Sequence, residues 1–272
     1  MNKSVVIGAL GGAVSVGMLA LGFFSGRLST PALAPEAVVE APAADAPGLD
    51  RPAVETIVRE YLLANPELIE EVQVALEDKK QAEQKLAQNA VIKDASADIF
   101  NSAEDGLIGN PDGDVTLVEF FDYNCGYCKR ALSDMQAMVA ADPKLRFVLK
   151  EFPILGPESQ KASQVSMAFK ALMPGKYADF HLKLMAYEGR AGEESAIKMA
   201  VELGADEAAL RKEMESPAIA AIFAKTYELA NRLSITGTPS YVVGDEIIPG
   251  ALGQDVLGQK VVNVRNCKST TC

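Results

Sequence analysis

Hydrophobic and polar positions divide the chain into stretches of different periodicity. Residues 5–24 contain no charged side chain, and as a helix they would span about 30 Å, the thickness of a bilayer core. Five prolines follow within residues 29–52, which is typical of an extended, semi-rigid linker. We therefore expect residues 1–28 to be a membrane anchor or signal segment and residues 29–52 to be a linker.

The N-terminal segment has two interpretations. A secretory signal core is usually shorter, about 7–15 residues, and the small residues Ala32 to Ala34 are followed by Pro35, which should hinder a peptidase. These features favour a retained anchor over a cleaved signal, whose removal would leave a soluble exported protein. Lys3 precedes the segment and Arg27 follows it, which slightly favours an inside N-terminus and export of the remaining chain.

A helical pattern begins after the linker, with apolar side chains at three- and four-residue spacing. A second helix is expected to start at Asn65 to Glu67, because a cap residue, a proline and an acid stand there in order. We expect a helical extension over residues 53–100. The apolar stripe within residues 66–90 has two equally weighted interpretations: contact between copies in a loose homo-oligomer, or packing on its own domain.

The centre of the chain predicts a βαβ unit. Val115 to Phe121 and Leu145 to Phe152 are rich in β-branched and aromatic residues, and a helical period from Gly126 to Ala141 separates them. Strands joined by a helical crossover are usually parallel and right-handed. Lys150 and Glu151 interrupt the second run, and we expect them to be solvated at the end of the strand.

A long helical region follows the βαβ unit. From about residue 157 to 233, helical stripes alternate with glycine and proline breakers. Tyr241 to Ile248 then predicts a β-hairpin, and Gln254 to Val264 a closing helix. We expect an α/β domain over residues 101–266 that carries the helical region as an insertion.

Composition narrows the classes of function. Apolar residues make up 49% and charged residues 23% of the 272 positions, as in globular proteins. A net charge of −11 argues against nucleic-acid binding, which needs basic patches. The single histidine, His181, disfavours a His-based triad or a His-rich metal site, and we expect it to be structural or at the surface.

The chemistry centres on Cys125-Gly126-Tyr127-Cys128, which follows a strand and opens a helix. Unpaired N–H groups at a helix start stabilise a thiolate, so Cys125 is expected to be an exposed attacking thiol. Cys128, one turn later, would close the mixed disulfide. Gly126 permits close approach by a protein substrate, and Tyr127 offers a hydroxyl. Lys129 follows the motif, which excludes a haem site, and a zinc site is disfavoured, so no metal or cofactor is expected.

The other two cysteines, Cys267 and Cys272, lie in a polar tail over residues 267–272. In an exported protein the simple interpretation is a local structural disulfide. A regulatory or electron-relaying pair is the alternative.

Three segments resemble a known family. Residues 120–128 (FFDYNCGYC) and 236–241 (TGTPSY) look like motifs of thioredoxin-fold DsbA-like thiol–disulfide oxidoreductases, and the resemblance covers roughly residues 110–266. Residues 61–69 (YLLANPELI) are similar to the N-terminal extension of ScsC-type members. The resemblance implies a thioredoxin-like fold and protein cysteines as substrates.

The resemblance also implies roles for residues outside the cysteine motif. Pro239 would be a cis-proline that faces the active site, and Thr238 would offer backbone groups to an extended substrate peptide. Glu119 matches the buried acid that assists proton transfer at the second cysteine of the family. As the only ionisable residue in its strand, it would have a pKa raised by burial; an ordinary strand-end carboxylate is the alternative.

These features predict an exported, membrane-tethered oxidoreductase that acts on cysteine-containing exported proteins and has a membrane redox partner. The direction of catalysis stays open. The oxidase type commonly has a histidine between its cysteines, whereas Gly126 and Tyr127, with Thr238, look more like the DsbC isomerase type. A non-catalytic binding or chaperone module, in which Cys125 and Cys128 form a static bridge, and a metal-delivery protein are the competing hypotheses.

Overall fold

The structure, a computed structural model, describes residues 50–272. The predicted membrane or signal segment, 1–28, and nearly all of the predicted linker therefore lie outside the described residues. Among the helices of the described chain, none combines the length and the apolar character that a membrane span requires.

A boundary after Glu60 divides the chain into a short N-terminal unit and a main unit, Tyr61–Cys272. The helices and strands follow one another along the sequence in this order: α1 (Arg51–Ala64), α2 (Glu67–Asp94), α3 (Ser96–Phe100), β1 (Gly106–Gly109), β2 (Val115–Phe121), α4 (Gly126–Ala141), β3 (Leu145–Glu151), α5 (Pro157–Leu172), α6 (Tyr177–Met185), α7 (Glu193–Glu202), α8 (Glu207–Met214), α9 (Pro217–Arg232), β4 (Ser240–Val243), β5 (Glu246–Pro249) and α10 (Gln254–Cys267).

The five strands of residues 50–272 form one mixed sheet in the order β1-β3-β2-β4-β5. β2 and β3 are parallel, with Glu119 opposite Leu149, because the α4 crossover returns the chain to the same end of the sheet. The other neighbours are antiparallel. The edge strand β1 was not predicted, because its four residues, Gly-Leu-Ile-Gly, contain too few β-formers to show a period.

Alternate residues of the central strands supply two hydrophobic cores, one on each face of the sheet. Leu117 and Phe121 belong to the larger core, which includes residues of α4 and of the helical region. Val118 and Phe120 belong to the other core, together with Ile92 at the end of α2. Because both faces are covered, the central strands are apolar along nearly their whole length.

The first two helices, α1 and α2, expose much apolar surface. No residue of α1 is buried, and Val72, Val74 and Leu76 on α2 are at least half exposed. Asn65 does not cap α2 with its side chain. Its Nδ2 instead donates to the carbonyl of Tyr61 at 2.8 Å.

The prediction that Lys150 and Glu151 are solvated is wrong. They are 2% and 3% exposed, because helices cover both faces at this end of β3, and polar partners come from α3, from the α3–β1 connection and from α5. Lys150 Nζ forms an ion pair with Asp105 Oδ2 at 2.5 Å and donates to the carbonyl of Asp98 at 2.7 Å. The carboxylate of Glu151 accepts a hydrogen bond from Ser166.

The C-terminal tail is fixed to the turn between β4 and β5. A disulfide joins Cys267 to Cys272, with the Cα atoms 6.2 Å apart. Asp245 accepts hydrogen bonds from the Ser269 hydroxyl and the Thr270 N–H, both at 2.8 Å. α10 runs to Cys267, three residues beyond the predicted end.

Candidate active site

The turn after β2 places Cys125 at the start of α4. Cys125 is the N-cap residue, with extended backbone, and its N–H donates to the carbonyl of Asp122 at 3.0 Å. Asp122 stabilises this turn with its own side chain: Oδ1 accepts from the N–H of Asn124 at 2.7 Å, and Oδ2 accepts from the N–H of Leu155 at 2.9 Å. The thiol thus lies where the unpaired N–H groups of α4 converge.

The loop before β4 faces this thiol. The Thr238–Pro239 peptide bond is cis, and the Cys125 thiol donates to the carbonyl of Thr238 at 3.1 Å. Cys125 is only 6% exposed, so the prediction of an exposed thiol is wrong. The thiol faces the Thr238 carbonyl instead of solvent. A path to the sulfur exists beside Gly126, where an added Cβ would meet nothing within 4 Å, and Tyr127 is 60% exposed.

The two thiols have opposite acidities. Hydrogen bonding from the Cys128 thiol, with further bonds from the N–H groups of Tyr127 and Cys128, lowers the pKa of Cys125 to about 5. Burial raises the pKa of Cys128 far above its usual range, and its hydrogen bond to Cys125 and the nearby Glu119 carboxylate add to the increase. At neutral pH Cys125 of the reduced pair is therefore the thiolate and Cys128 the thiol. The hydrogen bond from the Cys125 S–H to the Thr238 carbonyl belongs to the protonated form of Cys125.

Glu119 lies on the sheet face that carries Leu117 and Phe121, opposite Tyr241 of β4. It is buried within the strand, so it is not a solvated strand-end carboxylate. Burial raises the pKa of Glu119 to about 8, against a hydrogen bond from Tyr241 that lowers it. Within residues 50–272 its Oε2 has no hydrogen-bond partner, so this oxygen is available to a proton or a water molecule.

Two contacts that the sequence did not reveal bind the active-site turn to the loop before α7. The Asn124 side chain donates to the carbonyl of Ala191 and accepts from its N–H, both at 2.8 Å. Lys129 Nζ donates to the carbonyls of Tyr187 and Gly189. These partners lie about 60 residues away in sequence, so no local motif indicates them.

A groove beside the cis-proline completes the site. Its walls include Tyr127, Thr238 and Pro239, the β5 residue Ile247, and Gln88 of α2. Among the described residues no three His, Cys, Asp or Glu side chains form a cluster that could hold a metal ion. The chemistry available here is that of two thiols, one buried carboxyl and backbone hydrogen-bonding groups.

A pair of thiols at a helix start, opposite a cis-proline and next to a mixed sheet, defines a thioredoxin-like domain built for thiol chemistry. Residues 116–262 match the model of the DSBA-like thioredoxin domain, and residues 50–83 match the N-terminal domain of the copper resistance protein ScsC. The chain belongs to the DSBA-like thioredoxin domain family. The predicted thioredoxin-like fold and the ScsC-type extension are both confirmed.

Solved structures resemble the chain over different lengths. A thioredoxin-like oxidoreductase from Silicibacter pomeroyi is 43% identical, with a TM-score of 0.60 over 63% of this chain and 98% of that one. Proteus mirabilis ScsC in a transitional conformation is 29% identical, with a TM-score of 0.58 over 80% of this chain and 95% of that one.

A curated relative is much longer than the matched region. The Na⁺/H⁺ antiporter NhaA 3 of Salinispora tropica is 24% identical over 161 residues, and the chain spans 24% of its length. The match covers 58% of this chain.

Proposed function

We propose that this chain is an exported thiol–disulfide oxidoreductase whose Cys125–Cys128 pair exchanges disulfides with cysteine-containing exported proteins. The observation that carries the proposal is the placement of Cys125 at the start of α4, where donors lower its pKa to about 5, with Cys128 one turn behind. A static bridge in a binding or chaperone module would not need a stabilised thiolate. Bound stoichiometric metal in the purified protein would instead favour metal delivery.

In the oxidising direction a substrate thiolate attacks the Cys125 sulfur of the Cys125–Cys128 disulfide. Cys128 leaves and takes up a proton, which gives a mixed disulfide between Cys125 and the substrate. A second substrate thiolate then attacks the substrate sulfur and releases Cys125 as a thiolate. The substrate loses two electrons, which the pair gains. The reverse sequence reduces a substrate disulfide, and alternation of the two shuffles disulfides.

Stabilisation of the Cys125 thiolate supports oxidation or shuffling over net reduction. A bonded thiolate lowers the free energy of the reduced pair, which makes the disulfide a stronger oxidant. Gly126 and Tyr127 between the cysteines keep the isomerase alternative open. Equilibration of the Cys125–Cys128 pair with glutathione buffers tests this proposal.

Thr238 and Pro239 are proposed to hold the substrate chain next to Cys125. The thiol lies within hydrogen-bond distance of the Thr238 carbonyl, so an extended peptide in the neighbouring groove can pair with the same backbone. Gly126 leaves space for that peptide, and the exposed Tyr127 lines the groove.

Glu119 is proposed to transfer the proton of Cys128. Because burial raises its pKa to about 8, it is mostly protonated at neutral pH and becomes a base as pH rises. Glu119→Gln should slow the closing attack of Cys128 by about 10²-fold and remove the increase in its rate through pH 8. Stopped-flow kinetics of mixed-disulfide resolution would measure this. Glu246→Gln, at the edge strand β5, is the matched control, and an equal loss in both variants would contradict the role.

We propose further that a homo-oligomer forms through residues 66–90. The exposed apolar side chains Ile69, Val72 and Leu76 support this, because they stand three and four residues apart on one face of α2, and contiguous exposed apolar surface commonly marks an interface. Sedimentation velocity of the whole chain would reject the proposal if it showed a monomer alone.

Export and membrane tethering remain proposals. The uncharged segment 5–24 supports an anchor, with residues 29–52 as linker, 53–100 as extension and 101–266 as catalytic domain. The Cys267–Cys272 disulfide supports an oxidising compartment and is proposed to be structural. A membrane redox partner would then reset the pair. Fractionation of cells and N-terminal sequencing would show whether the chain is exported and whether the segment is retained.

A further inference from the structure

A buried polar cluster lies between the sheet and the helical region, outside the thiol site. It contains Tyr123 of the active-site turn, Glu151 at the end of β3, Ser166 on α5, and Tyr177 and His181 on α6. Each of these residues is at most 3% exposed. Burying polar groups costs free energy unless they are hydrogen-bonded. A cluster of five such residues next to the cysteine pair therefore suggests a role in the function of that pair.

Glu151 and His181 share one partner in this cluster. Glu151 Oε1 accepts from the hydroxyls of Ser166 at 2.6 Å, Tyr177 at 3.3 Å and Tyr123 at 3.4 Å. Tyr123 Oη also lies 2.8 Å from Ser166 Oγ and 3.2 Å from His181 Nδ1. A phenol carries one hydrogen, so Tyr123 donates either to the Glu151–Ser166 side or to His181. Within residues 50–272, Glu151 Oε2 and His181 Nε2 have no partner.

Tyr123 connects the cluster to the thiols. It lies inside the turn that the hydrogen bond from Cys125 N–H to the Asp122 carbonyl closes. Its ring packs edge-on against Phe121, with centroids 5.0 Å apart. A change in the hydrogen bond of Tyr123 therefore acts on the turn that places Cys125 at the start of α4.

We propose that Glu151 is a positioning residue for the thiol pair and acts through Tyr123. As a carboxylate, Glu151 accepts the hydroxyl hydrogens of Ser166, Tyr177 and Tyr123. As an acid, it no longer attracts the Tyr123 hydrogen, which then goes to His181 Nδ1. The turn before Cys125 therefore has two hydrogen-bond arrangements, one with Tyr123 donating to Glu151 and one with Tyr123 donating to His181. Protonation of Glu151 selects between them. The proposal deepens the proposed function and rests on it at one point, the role of Cys125 as attacking thiol.

The groups around Glu151 set the pH at which it loses this proton. Burial is the main cause that raises the pKa of Glu151 to about 7, and Asp122 in the active-site turn adds to the increase. The other ionisable groups that face it are Lys170 on α5 and the two cluster tyrosines, Tyr123 and Tyr177. Lys170 Nζ donates to the carbonyl of Ala103.

His181 stays neutral through this range. Burial lowers its pKa to about 3, so its ring accepts or loses the Tyr123 hydrogen bond without changing charge. It is also the only histidine of the chain. Its two ring nitrogens therefore report the hydrogen-bond state of Tyr123 without assignment against other histidines.

The test is ¹⁵N NMR of the His181 ring in the oxidised full-length protein, titrated from about pH 5 to about pH 9. We expect the Nδ1 signal to move with a midpoint near 7, the pKa of Glu151, while the ring remains neutral. Glu151→Gln should abolish the movement, and Glu119→Gln should preserve it. A flat Nδ1 signal in the wild type, or a movement that persists in Glu151→Gln, would overturn the proposal.

Two further measurements keep the test decisive. If Glu151→Gln does not fold, Tyr123→Phe should abolish the movement of the His181 Nδ1 signal while the ¹³C signal of the Glu151 carboxyl still titrates. Continued movement of the Nδ1 signal overturns the proposal.

In the reduced protein, the rate of Cys125 alkylation plotted against pH should show a second inflection near pH 7 that Tyr123→Phe removes. An Nδ1 movement without that inflection overturns the positioning role. A Cys125 thiol that is alkylated normally but does not exchange with substrate disulfides would instead contradict the proposed function.

Discussion

Cys125→Ser should abolish thiol–disulfide exchange, because no other described residue offers a stabilised thiolate at the start of a helix. We expect turnover of a cysteine-containing peptide substrate to fall to the uncatalysed rate. Cys128→Ser should lose turnover as well, but it should retain the first attack and accumulate a mixed disulfide at Cys125, since the resolving thiol is missing. Quenched-flow kinetics with mass spectrometry of the adduct would measure both effects.

The matched control for these variants is the double replacement Cys267→Ser with Cys272→Ser. It removes the disulfide of the tail, which lies outside the thiol site, and should leave the exchange rate unchanged. A large loss of activity in the control would favour the electron-relaying interpretation of the tail pair. Residual turnover in Cys125→Ser would show that the attacking thiol has been misassigned.

The second large effect is a dependence of stability on pH in the reduced protein. The fold lowers the pKa of Cys125 from 9.0 to about 5. A group with a lowered pKa in the folded state stabilises the fold fully above its unfolded pKa, and this stabilisation is lost as pH falls through the folded value. The melting temperature of the reduced wild type should therefore rise above that of Cys125→Ser between pH 5 and pH 9.

Thermal denaturation of both proteins under the same reducing conditions would check this dependence. The gap should be several degrees near pH 8 and close to zero below pH 5, where the folded protein also carries the neutral thiol. A constant gap over this range would mean that the thiolate of Cys125 is not stabilised by the fold.

Local patterns predicted the central part of the fold well. The runs of β-formers gave β2 and β3, and the helical period between them gave α4 with its bounds, because each signal is contained in a short continuous segment. β1 was missed because two of its four residues are glycine. Its place in the sheet is set by antiparallel pairing with β3, which no local pattern encodes.

The chemistry of the site was predicted from a motif, but its surroundings were not. The sequence indicates that Cys125 starts a helix, and burial of Glu119 follows from its apolar strand. The sequence does not indicate that the Cys125 thiol donates a hydrogen bond to the Thr238 carbonyl. It also predicts a solvated Glu151, although α5 and α6 bury it and bring hydroxyls from 15 and 26 residues downstream to its carboxylate. Long-range packing decides both outcomes.

The central claim is that Cys125 and Cys128 form a redox pair whose reduced state the fold stabilises. Equilibration of the full-length protein with glutathione buffers, followed by alkylation and mass analysis of this pair, measures its reduction potential most directly. The account predicts a potential well above that of thioredoxin, about −270 mV, and in the region of protein disulfide isomerase, about −180 mV, or higher. A potential at or below that of thioredoxin, or a pair that does not equilibrate with glutathione, would contradict it.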